Sequence, residues 1–228
     1  MDADSVAGKN SREDILRAFG NGEYDILLGT QMITKGLDFS SVTLVGVLNG
    51  DSMLYSSDFR AYEKTFSLLT QVTGRAGRSE KSGRAVIQTY SPEHEVLRYA
   101  YAQDYEGFYE NQLPLRRSML YPPFSELCQA VFIADGEPEA FNAANNYIEH
   151  MKTLLALPEY EKVNISVIRP AVTSVPMVDG RSRVRIIIKC RDRAVTRRML
   201  TVAYMNFIRQ PEMKNVSAAL DMNPQNIL

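Results

Sequence analysis

The stretch YDILLGTQMITKGLDFSSVTLVGVL, residues Tyr24 to Leu48, decides the fold of the first part of this chain. It contains two short apolar runs, Tyr24–Leu28 and Val42–Leu48, separated by the polar, glycine-containing segment 29–41. Continuous apolar runs of this length are typical of strands that are covered on both faces. We therefore predict two buried strands of a parallel sheet.

Helical patterns flank these strands. Residues Ser11 to Phe19 form a short amphipathic pattern that begins with a capping serine and stops at Gly20-Asn21-Gly22. A second helical pattern covers Phe59 to Thr73, and Ala85–Gln88 predicts a third strand. The order helix, strand, strand, helix, strand indicates an α/β layer structure.

The second half of the chain has a different order of elements. Tyrosine-rich helical sequence extends from Pro92 to about Tyr109, and prolines and arginines then interrupt the periodicity. Beyond them we predict strands at Glu126–Ala134, Val163–Ile168, Arg183–Cys190 and Val216–Asp221 and helices at Pro138–Leu155 and Ala194–Ile208. The order β-α-β-β-α-β builds a small sheet with two helices on one face, as in the ferredoxin-like plan. We thus expect a first domain at 1–110, a linker at 111–124 and an α+β domain at 125–228.

The composition excludes several classes of protein. With 228 residues, of which 45% are apolar and 23% charged, the chain is globular and neither disordered nor collagen-like. No apolar run approaches the roughly 20 residues that cross a bilayer, and the acidic start Met1–Asp4 is unlike a signal peptide. The sequence is of a cytoplasmic type without a membrane partner. Cys128 and Cys190 lack C-x-x-C partners, so we expect them to fill the core and not to bind metal.

The net charge of −1 conceals an uneven distribution. Residues 1–110 carry a net charge of −5 and residues 111–228 a net charge of +4. The densest basic run consists of Arg181, Arg183, Arg185, Lys189, Arg191, Arg193, Arg197 and Arg198. A surface of that sign attracts phosphates or carboxylates. The alternative is a solvated face of a strand and a helix.

The segment QVTGRAGR, residues Gln71 to Arg78, is the most informative motif. Arg75 and Arg78 are three residues apart, and the intervening glycines allow the backbone to approach a partner closely. Planar guanidinium groups in this arrangement suit phosphate oxygens. The alternative is structural, because cations at the C-terminal end of a helix are stabilised by its dipole.

The loop GTQMITKGLDF, residues Gly29 to Phe39, follows a predicted strand, where α/β sheets place ligand sites. Hydroxyl groups such as that of Thr30, and free backbone N–H groups, are suited to binding nucleic-acid phosphates. Asp38 can accept a hydrogen bond from a sugar hydroxyl or orient an arginine. The alternative is an ordinary polar loop between a strand and a helix.

These two segments resemble known helicase motifs. GTQMITKGLDF resembles motif V, and QVTGRAGR resembles motif VI, of superfamily 2 helicases. The sequence between them, VTLVGVLNGDSMLYSSDFRAYEKTFSLLTQV, and the later segments LRRSMLYPPFSEL, RPAVTSVP and DMNPQNIL resemble the primosomal protein N′ family of replication-restart helicases. The resemblance therefore covers nearly the whole chain. The run Leu37–Ser40 departs from the family's His-Asp-Phe-Pro type of run, and this leaves the arginines of motif VI unaffected.

The resemblance implies that residues 1–110 are the C-terminal portion of a second, RecA-like helicase lobe with a parallel sheet. The 228 residues contain no G-x-x-x-x-G-K-[ST] phosphate loop, no acidic motif of the DEAH kind and no cysteine cluster. We therefore expect a fragment of an ATP-dependent 3′-to-5′ DNA helicase that is inactive alone. The resemblance places the main ATP and Mg²⁺ site, and a zinc-binding insertion, in the missing part.

The resemblance implies catalytic roles in motif VI. Arg78 would be the arginine finger that stabilises charge on the transferred phosphoryl group, Arg75 would contact the γ-phosphate, and Gln71 would help to position it. Such a finger is worth roughly 10³–10⁵ in rate in related NTPases.

The resemblance implies DNA contacts in motif V. Thr30, with Gln31 and Lys35, would contact the strand along which the enzyme moves. Gly36 and Asp38 would couple that contact to the nucleotide cleft, so that closure and reopening of the lobes move the protein along the DNA.

Arginines near the predicted start of the last helix indicate an anion site. Arg191, Arg193 and Arg197 bring guanidinium groups towards the unpaired N–H groups of a helix N-terminus. The resemblance implies that this domain binds the acidic, Phe-ended tail of single-stranded-DNA-binding protein. We expect Arg193 to contact the carboxylate and Arg197 to lie one turn further along. The alternative is that these arginines face solvent or pair with Glu149 or Glu161.

Alternating arginines mark one strand of the second domain. Arg181, Arg183 and Arg185 share one face of the predicted sheet because side chains alternate along a strand. We expect Arg183 and Arg185 to contact the DNA backbone.

Three hypotheses about function remain open at this point. The first is part of a replication-restart helicase that recognises branched and single-stranded DNA and initiates assembly with other primosome proteins in the cytoplasm, at the nucleoid. The second is a non-catalytic module that binds DNA or the acidic tail of a partner. The third is the second lobe of another superfamily 2 repair or recombination translocase. The SSDFRA and YPPFSEL segments and the β-α-β-β-α-β ending favour the first over the third.

Overall fold

The computed structural model describes residues 9–30, 39, 41–73, 83–191 and 193–227. The chain divides into two compact units. One unit comprises residues 1–56 and 60–109, and the other comprises residues 57–59 and 110–228. Among the described residues, no helix combines the length and the apolar character that crossing a membrane requires.

A two-stranded parallel sheet lies in the first unit. Strand β1 (Leu44–Val47) pairs with β2 (Arg84–Ile87) in parallel, with Leu44 opposite Arg84. Helices α1 (Lys9–Gly20), α2 (Asp51–Leu54), α3 (Ala61–Thr73) and α4 (Glu95–Ala102) belong to this unit, and α5 (Tyr105–Ser118) begins in it. The predicted parallel sheet and the mixed α/β class are confirmed.

The core of the first unit is made by α3, α4 and the start of α5. Leu69 of α3 and Val96 of α4 are buried in one apolar cluster. Phe66 stacks on Phe108 with ring centroids 4.4 Å apart. The sheet contributes only its inner face to this cluster, because Leu44 on the other face is 61% exposed. The prediction that β1 is buried on both faces is therefore wrong within the described residues.

The predicted strand at Tyr24–Leu28 is absent. These residues form neither strand nor helix, and the Ile26 side chain is 83% exposed. A strand needs a neighbour for its N–H and C=O groups. Within the described residues, β1 pairs with β2 alone, and the run Tyr24–Leu28 is not part of this sheet.

The helical region predicted from Pro92 to Tyr109 is two helices. Gln103 adopts a left-handed backbone conformation with φ of 54° and ends α4. Asp104 then accepts a hydrogen bond from the Gly107 N–H at 2.9 Å and begins α5. Helix α5 contains Pro114 and continues to Ser118, so the first half of the predicted linker is helical.

The second unit has the predicted element order β-α-β-β-α-β. It consists of β3 (Glu126–Ala134), α6 (Glu137–Leu155), β4 (Ile165–Val178), β5 (Arg181–Cys190), α7 (Ala194–Ile208) and β6 (Ser217–Met222). The sheet is antiparallel in the order β4-β5-β3-β6. Strand β4 is longer than predicted and continues through Pro170 and Pro176, where its register with β5 shifts. An edge strand tolerates proline because one side of its backbone needs no ladder partner.

Helices α6 and α7 cover one face of this sheet. Small residues such as Ala143 and Ala203 let the helices approach the strands, while Phe132, Tyr147 and Phe207 fill the space between them. The Tyr147 hydroxyl donates to the Leu200 carbonyl at 3.0 Å. Both cysteines are buried, as predicted for core filling.

The opposite face of the sheet carries a second, smaller apolar cluster. Leu127, Ile187 and Ile227 are buried there, and Phe59 and Tyr121 pack against them. We call this face, which α6 and α7 do not cover, the helix-free face. The cluster occupies its apolar part, and charged side chains lie on the rest of it.

Candidate anion-binding site

A cationic pocket of about 360 Å³ lies where β5 ends and α7 begins. Its charged lining consists of Lys162, Lys189, Arg191 and Arg193. Leu120 and Phe124 form an apolar wall. No acidic side chain among the described residues lines the pocket. A concave, positively charged site with an apolar wall suits a ligand that carries both a carboxylate or phosphate and an apolar group.

Strand register brings these residues together. Ile165 lies opposite Cys190, and Ser166 lies opposite Lys189, so the start of β4 stands beside the end of β5. Lys162, three residues before β4, is thereby placed near the cations that follow β5.

The N-terminus of α7 forms part of the same pocket. Arg193 occupies the N-cap position in an extended conformation, with φ of −119° and ψ of 154°, and its side chain makes no capping hydrogen bond. Thr196, in the first turn, is buried and lines the pocket. The first N–H groups of a helix have no partner within the helix, so they add to the attraction for an anion.

Lys189 is held in place by two contacts. Its ammonium donates to the Met119 carbonyl and lies 3.9 Å from the centre of the Tyr121 ring. Burial lowers the pKa of Lys189, since desolvation disfavours the charged form. A bound anion would oppose that effect.

The predicted tail-binding arginines have different positions. Arg193 lines the pocket, whereas Arg197 is not among the lining residues. The Arg197 N–H donates to the Arg193 carbonyl at 3.0 Å as part of the first helical turn. Of the suggested partners, Glu149 forms an ion pair with Lys152 at 2.7 Å.

The predicted DNA-contacting arginines lie on the helix-free face of the sheet. Arg183 is opposite Ile133 and Arg185 is opposite Val131. Buried nitrogens of both guanidinium groups, Nε of Arg183 and Nε and Nη1 of Arg185, have no hydrogen-bond partner among the described residues. Burial lowers the pKa of Arg185, although nearby Tyr121 and Asp58 act in the opposite direction. Unsatisfied buried donors of this kind are uncommon in folded proteins.

Arg181 has a structural role in the described part of the chain. Its Nε donates to Asp135 Oδ1 at 2.9 Å, and its other nitrogens donate to the carbonyls of Ile133 and Asn215 and to the Ser217 hydroxyl. The three alternating arginines of β5 are therefore not equivalent.

The helicase-like motifs are only partly described. Thr30 is exposed in non-helical backbone, and Gln71 is exposed in the last turn of α3. The other predicted residues of these motifs lie outside the described residues: Gln31, Lys35, Gly36, Asp38, Arg75 and Arg78.

Sequence reasoning did not select Lys162, Leu120 or Phe124 for this site. Lys162 is isolated from the basic run, and only the pairing of β4 with β5 brings it there. Phe124 belongs to the YPPF segment, and its ring packs 4.8 Å from the guanidinium carbon of Arg117. In the ranges that the structure describes, no group of three His, Cys, Asp or Glu side chains is arranged to hold a metal ion.

Comparison with known proteins defines the class first. Residues 3–80 match the protein family described as Helicase conserved C-terminal domain, so the first unit contains part of a helicase lobe of the RecA-like type. A structural likeness to a de novo designed protein, Foldit4, is too low to indicate a shared fold. Its TM-score is 0.31 at 13% identity, over 44% of this chain and 98% of the designed one.

Curated relatives define the family. The chain is 39% identical to replication restart protein PriA of Bacillus subtilis over 98% of its own length. It is 33% identical to the Treponema pallidum protein of that name over 100% of its length, and 43% identical to the Chlamydia pneumoniae protein over 68%. The chain belongs to the PriA family of replication restart proteins. It spans 27%, 33% and 21% of these three relatives, respectively.

Proposed function

We propose that this chain is the C-terminal part of an ATP-dependent 3′-to-5′ DNA helicase that restarts stalled replication forks. The observation that supports this most strongly is the similarity to replication restart proteins over 98% of the chain, together with the helicase C-terminal domain match at residues 3–80. In the longer protein, the activity would consist of recognising branched DNA and initiating primosome assembly.

The chemistry of this part would be the supply of arginines to a nucleotide held mainly by the first lobe. Arg78 would stabilise the charge that develops on the transferred phosphoryl group, with Arg75 on the γ-phosphate. Gln71 supports this assignment by its position, since it is exposed in the last turn of α3, just before these arginines. ATP and Mg²⁺ would be bound by the missing phosphate loop, and zinc by an insertion outside these 228 residues.

DNA would be contacted at two places. In the first unit, Thr30, which is exposed, would contact the tracked strand together with Gln31 and Lys35. Gly36 and Asp38 would couple this contact to the nucleotide cleft. In the second unit, Arg183 and Arg185, which share one face of β5 and are partly exposed, would contact the phosphate backbone.

The cationic pocket would bind the C-terminal tail of a single-stranded-DNA-binding protein. Arg193, at the N-terminus of α7, would hold the terminal carboxylate, and Arg197 would lie one turn further along. Phe124 and Leu120 would receive the aromatic side chain of the tail. Because the pocket is positively charged and the tail is acidic, their association would be fast and sensitive to salt.

The remaining proposed partners are other primosome proteins, branched DNA and single-stranded DNA. The proposed location is the cytoplasm, at the nucleoid.

A non-catalytic module that binds DNA or a partner's tail is the second candidate function. The pocket observed in the second unit favours it, because that unit has its own core and the pocket is built from its residues alone. Both functions can hold for one protein. The second lobe of another superfamily 2 translocase is a weaker alternative, because it leaves the PriA-family similarity unexplained.

An ATPase assay on the full-length parent protein tests the main proposal. Arg78→Ala should preserve ATP binding and reduce DNA-stimulated hydrolysis by about 10³-fold or more. The 228-residue chain alone should hydrolyse no ATP in the presence of Mg²⁺. Unchanged turnover of the variant, or hydrolysis by the chain alone, would refute the proposal.

A further inference from the structure

An open groove of about 570 Å³ runs between α6 and the edge strand β4. Helix α6 lines it with Phe141, Ile148 and Leu155, which are spaced seven residues apart, and β4 lines it with Ile165 and Val167. All five side chains are only partly buried, and each packs against the main core of the second unit. The groove is therefore an apolar extension of the core at the edge of the sheet.

Strand β4 provides a backbone edge along this groove. Among the described residues it pairs with β5 alone, so the N–H and C=O groups on its other side have no ladder partner. An extended segment beside β4 would form a fifth strand, and every second side chain of that strand would enter the groove below α6. Pro170 has no N–H group, so the pairing edge is Ile165–Arg169.

The charge at the groove limits what fits. Lys152 is neutralised by Glu149 at 2.7 Å. Arg169 lines the groove, and no described residue pairs with its guanidinium group. A ligand with a carboxylate at that end of the groove would satisfy Arg169.

We propose that this groove binds an extended segment of another protein, with apolar residues at alternate positions and an acidic residue against Arg169. A second copy of this chain does not meet these requirements. Its own β4, ISVIRPAVTSVPMV, contains no acidic residue and would bring a second Arg169 to the first. Pro170 and Pro176 also weaken pairing of β4 with itself, a common feature of protected edge strands.

A palindromic peptide tests this proposal in either strand direction. Acetylated, fluorescein-labelled Glu-Thr-Val-Thr-Val-Thr-Glu places two valines in the groove and one glutamate near Arg169 whichever way it runs. Fluorescence anisotropy with the 228-residue chain should show saturable binding below about 1 mM. Hydrogen exchange should slow at Ile165–Arg169 and not at β6, the opposite edge of the sheet.

Charge reversal is the decisive variant, because Arg169 is on the surface and its replacement leaves the core intact. Arg169→Glu should weaken binding of the glutamate peptide by about tenfold and strengthen binding of the matching lysine peptide. Ile148→Ser should also weaken binding, whereas Ile168→Ser, on the other face of β4, should not. The absence of saturable binding, or equal affinity of wild type and Arg169→Glu for both peptides, would overturn the proposal.

Discussion

Phe59 stacks on Tyr121, with ring centroids 5.3 Å apart and an angle of 18° between the ring planes. The guanidinium carbon of Arg116 lies 5.2 Å from the centre of the Phe59 ring. Phe59 also packs against the buried cluster that contains Leu127 and Ile187. A residue of the segment SSDFRA therefore helps to close the helix-free face of the second unit.

Replacing Phe59 by alanine should destabilise the second unit by about 2–3 kcal/mol, because the change removes the ring contacts and leaves space in a small core. Hydrogen exchange of the β3 and β5 amides measures this destabilisation within that unit. Tyr101→Ala is the control, since the Tyr101 side chain is 82% exposed and its removal should change stability by less than about 0.5 kcal/mol. Equal protection in the two variants would contradict the role of Phe59.

His94 should stabilise the start of α4 in two separable ways. Its Nδ1 accepts a hydrogen bond from the Val96 N–H at 3.2 Å, and its ring packs on Tyr62 with centroids 5.3 Å apart. His94→Asn keeps an N-cap acceptor and loses the ring, whereas His94→Phe does the reverse. We expect the cap to contribute about 1 kcal/mol and the ring contact about 0.5–1.5 kcal/mol, measured by urea unfolding. If His94→Ala matched wild type, neither contribution would exist.

The stability of the second unit should fall at alkaline pH because of Cys128. Burial raises the pKa of its thiol from 9.0 to about 12, so the unfolded chain releases this proton at lower pH than the folded chain does. The contribution to folding is therefore complete below about pH 9 and is lost as the pH rises towards 12, with a slope of at most about 1.4 kcal/mol per pH unit. Cys128→Ala should remove this part of the pH dependence in urea titrations. A variant curve parallel to that of wild type across this range would contradict the assignment.

Tail binding should depend on Arg193 far more than on Arg197. Arg193 lines the cationic pocket at the N-cap of α7, and Arg197 does not line it. With a synthetic acidic peptide that ends in phenylalanine, Arg193→Ala should weaken binding about tenfold or more, and Arg197→Ala about twofold or less. Amidating the peptide's terminal carboxylate should match the effect of Arg193→Ala. Wild-type affinity in Arg193→Ala would exclude this pocket.

DNA binding should depend on Arg183 and Arg185 of β5 and not on Arg181. The double variant Arg183→Ala with Arg185→Ala should reduce the salt dependence of single-stranded DNA binding by about 0.7 in log–log slope for each phosphate that is no longer neutralised. Arg181→Ala is the matched control, because its guanidinium is already bonded to Asp135 and to backbone carbonyls. It should lower stability without changing the slope. A slope that changes only in the control would place the DNA-binding surface elsewhere.

Local patterns predicted most elements of the second unit. Glu126–Ala134 and Ala194–Ile208 match β3 and α7 residue for residue, because a nearly continuous apolar run and a 3.6-residue period leave clear signals. The extension of β4 beyond Ile168 was not predictable in this way. Pro170 and Pro176 argue against a strand in general, and only an edge position makes them acceptable.

The site was predictable to the extent that its residues are neighbours in sequence. Arg191 and Arg193 belong to one basic run, so the sequence predicted that they contribute to one anion site. Lys162 reaches the same pocket through strand register, which a single sequence does not specify when both strands are apolar. The different role of Arg181 depends on Asp135 and Asn215, which are distant along the chain.

The small cluster on the helix-free face also has a consequence for how the protein is made. Ile227 emerges from the ribosome after Phe59, Tyr121, Leu127 and Ile187, the residues among which it is buried. Synthesis proceeds at about 5–20 residues per second, and the part already made begins to fold first. This apolar layer is therefore incomplete until Ile227 has been synthesised and has left the ribosome.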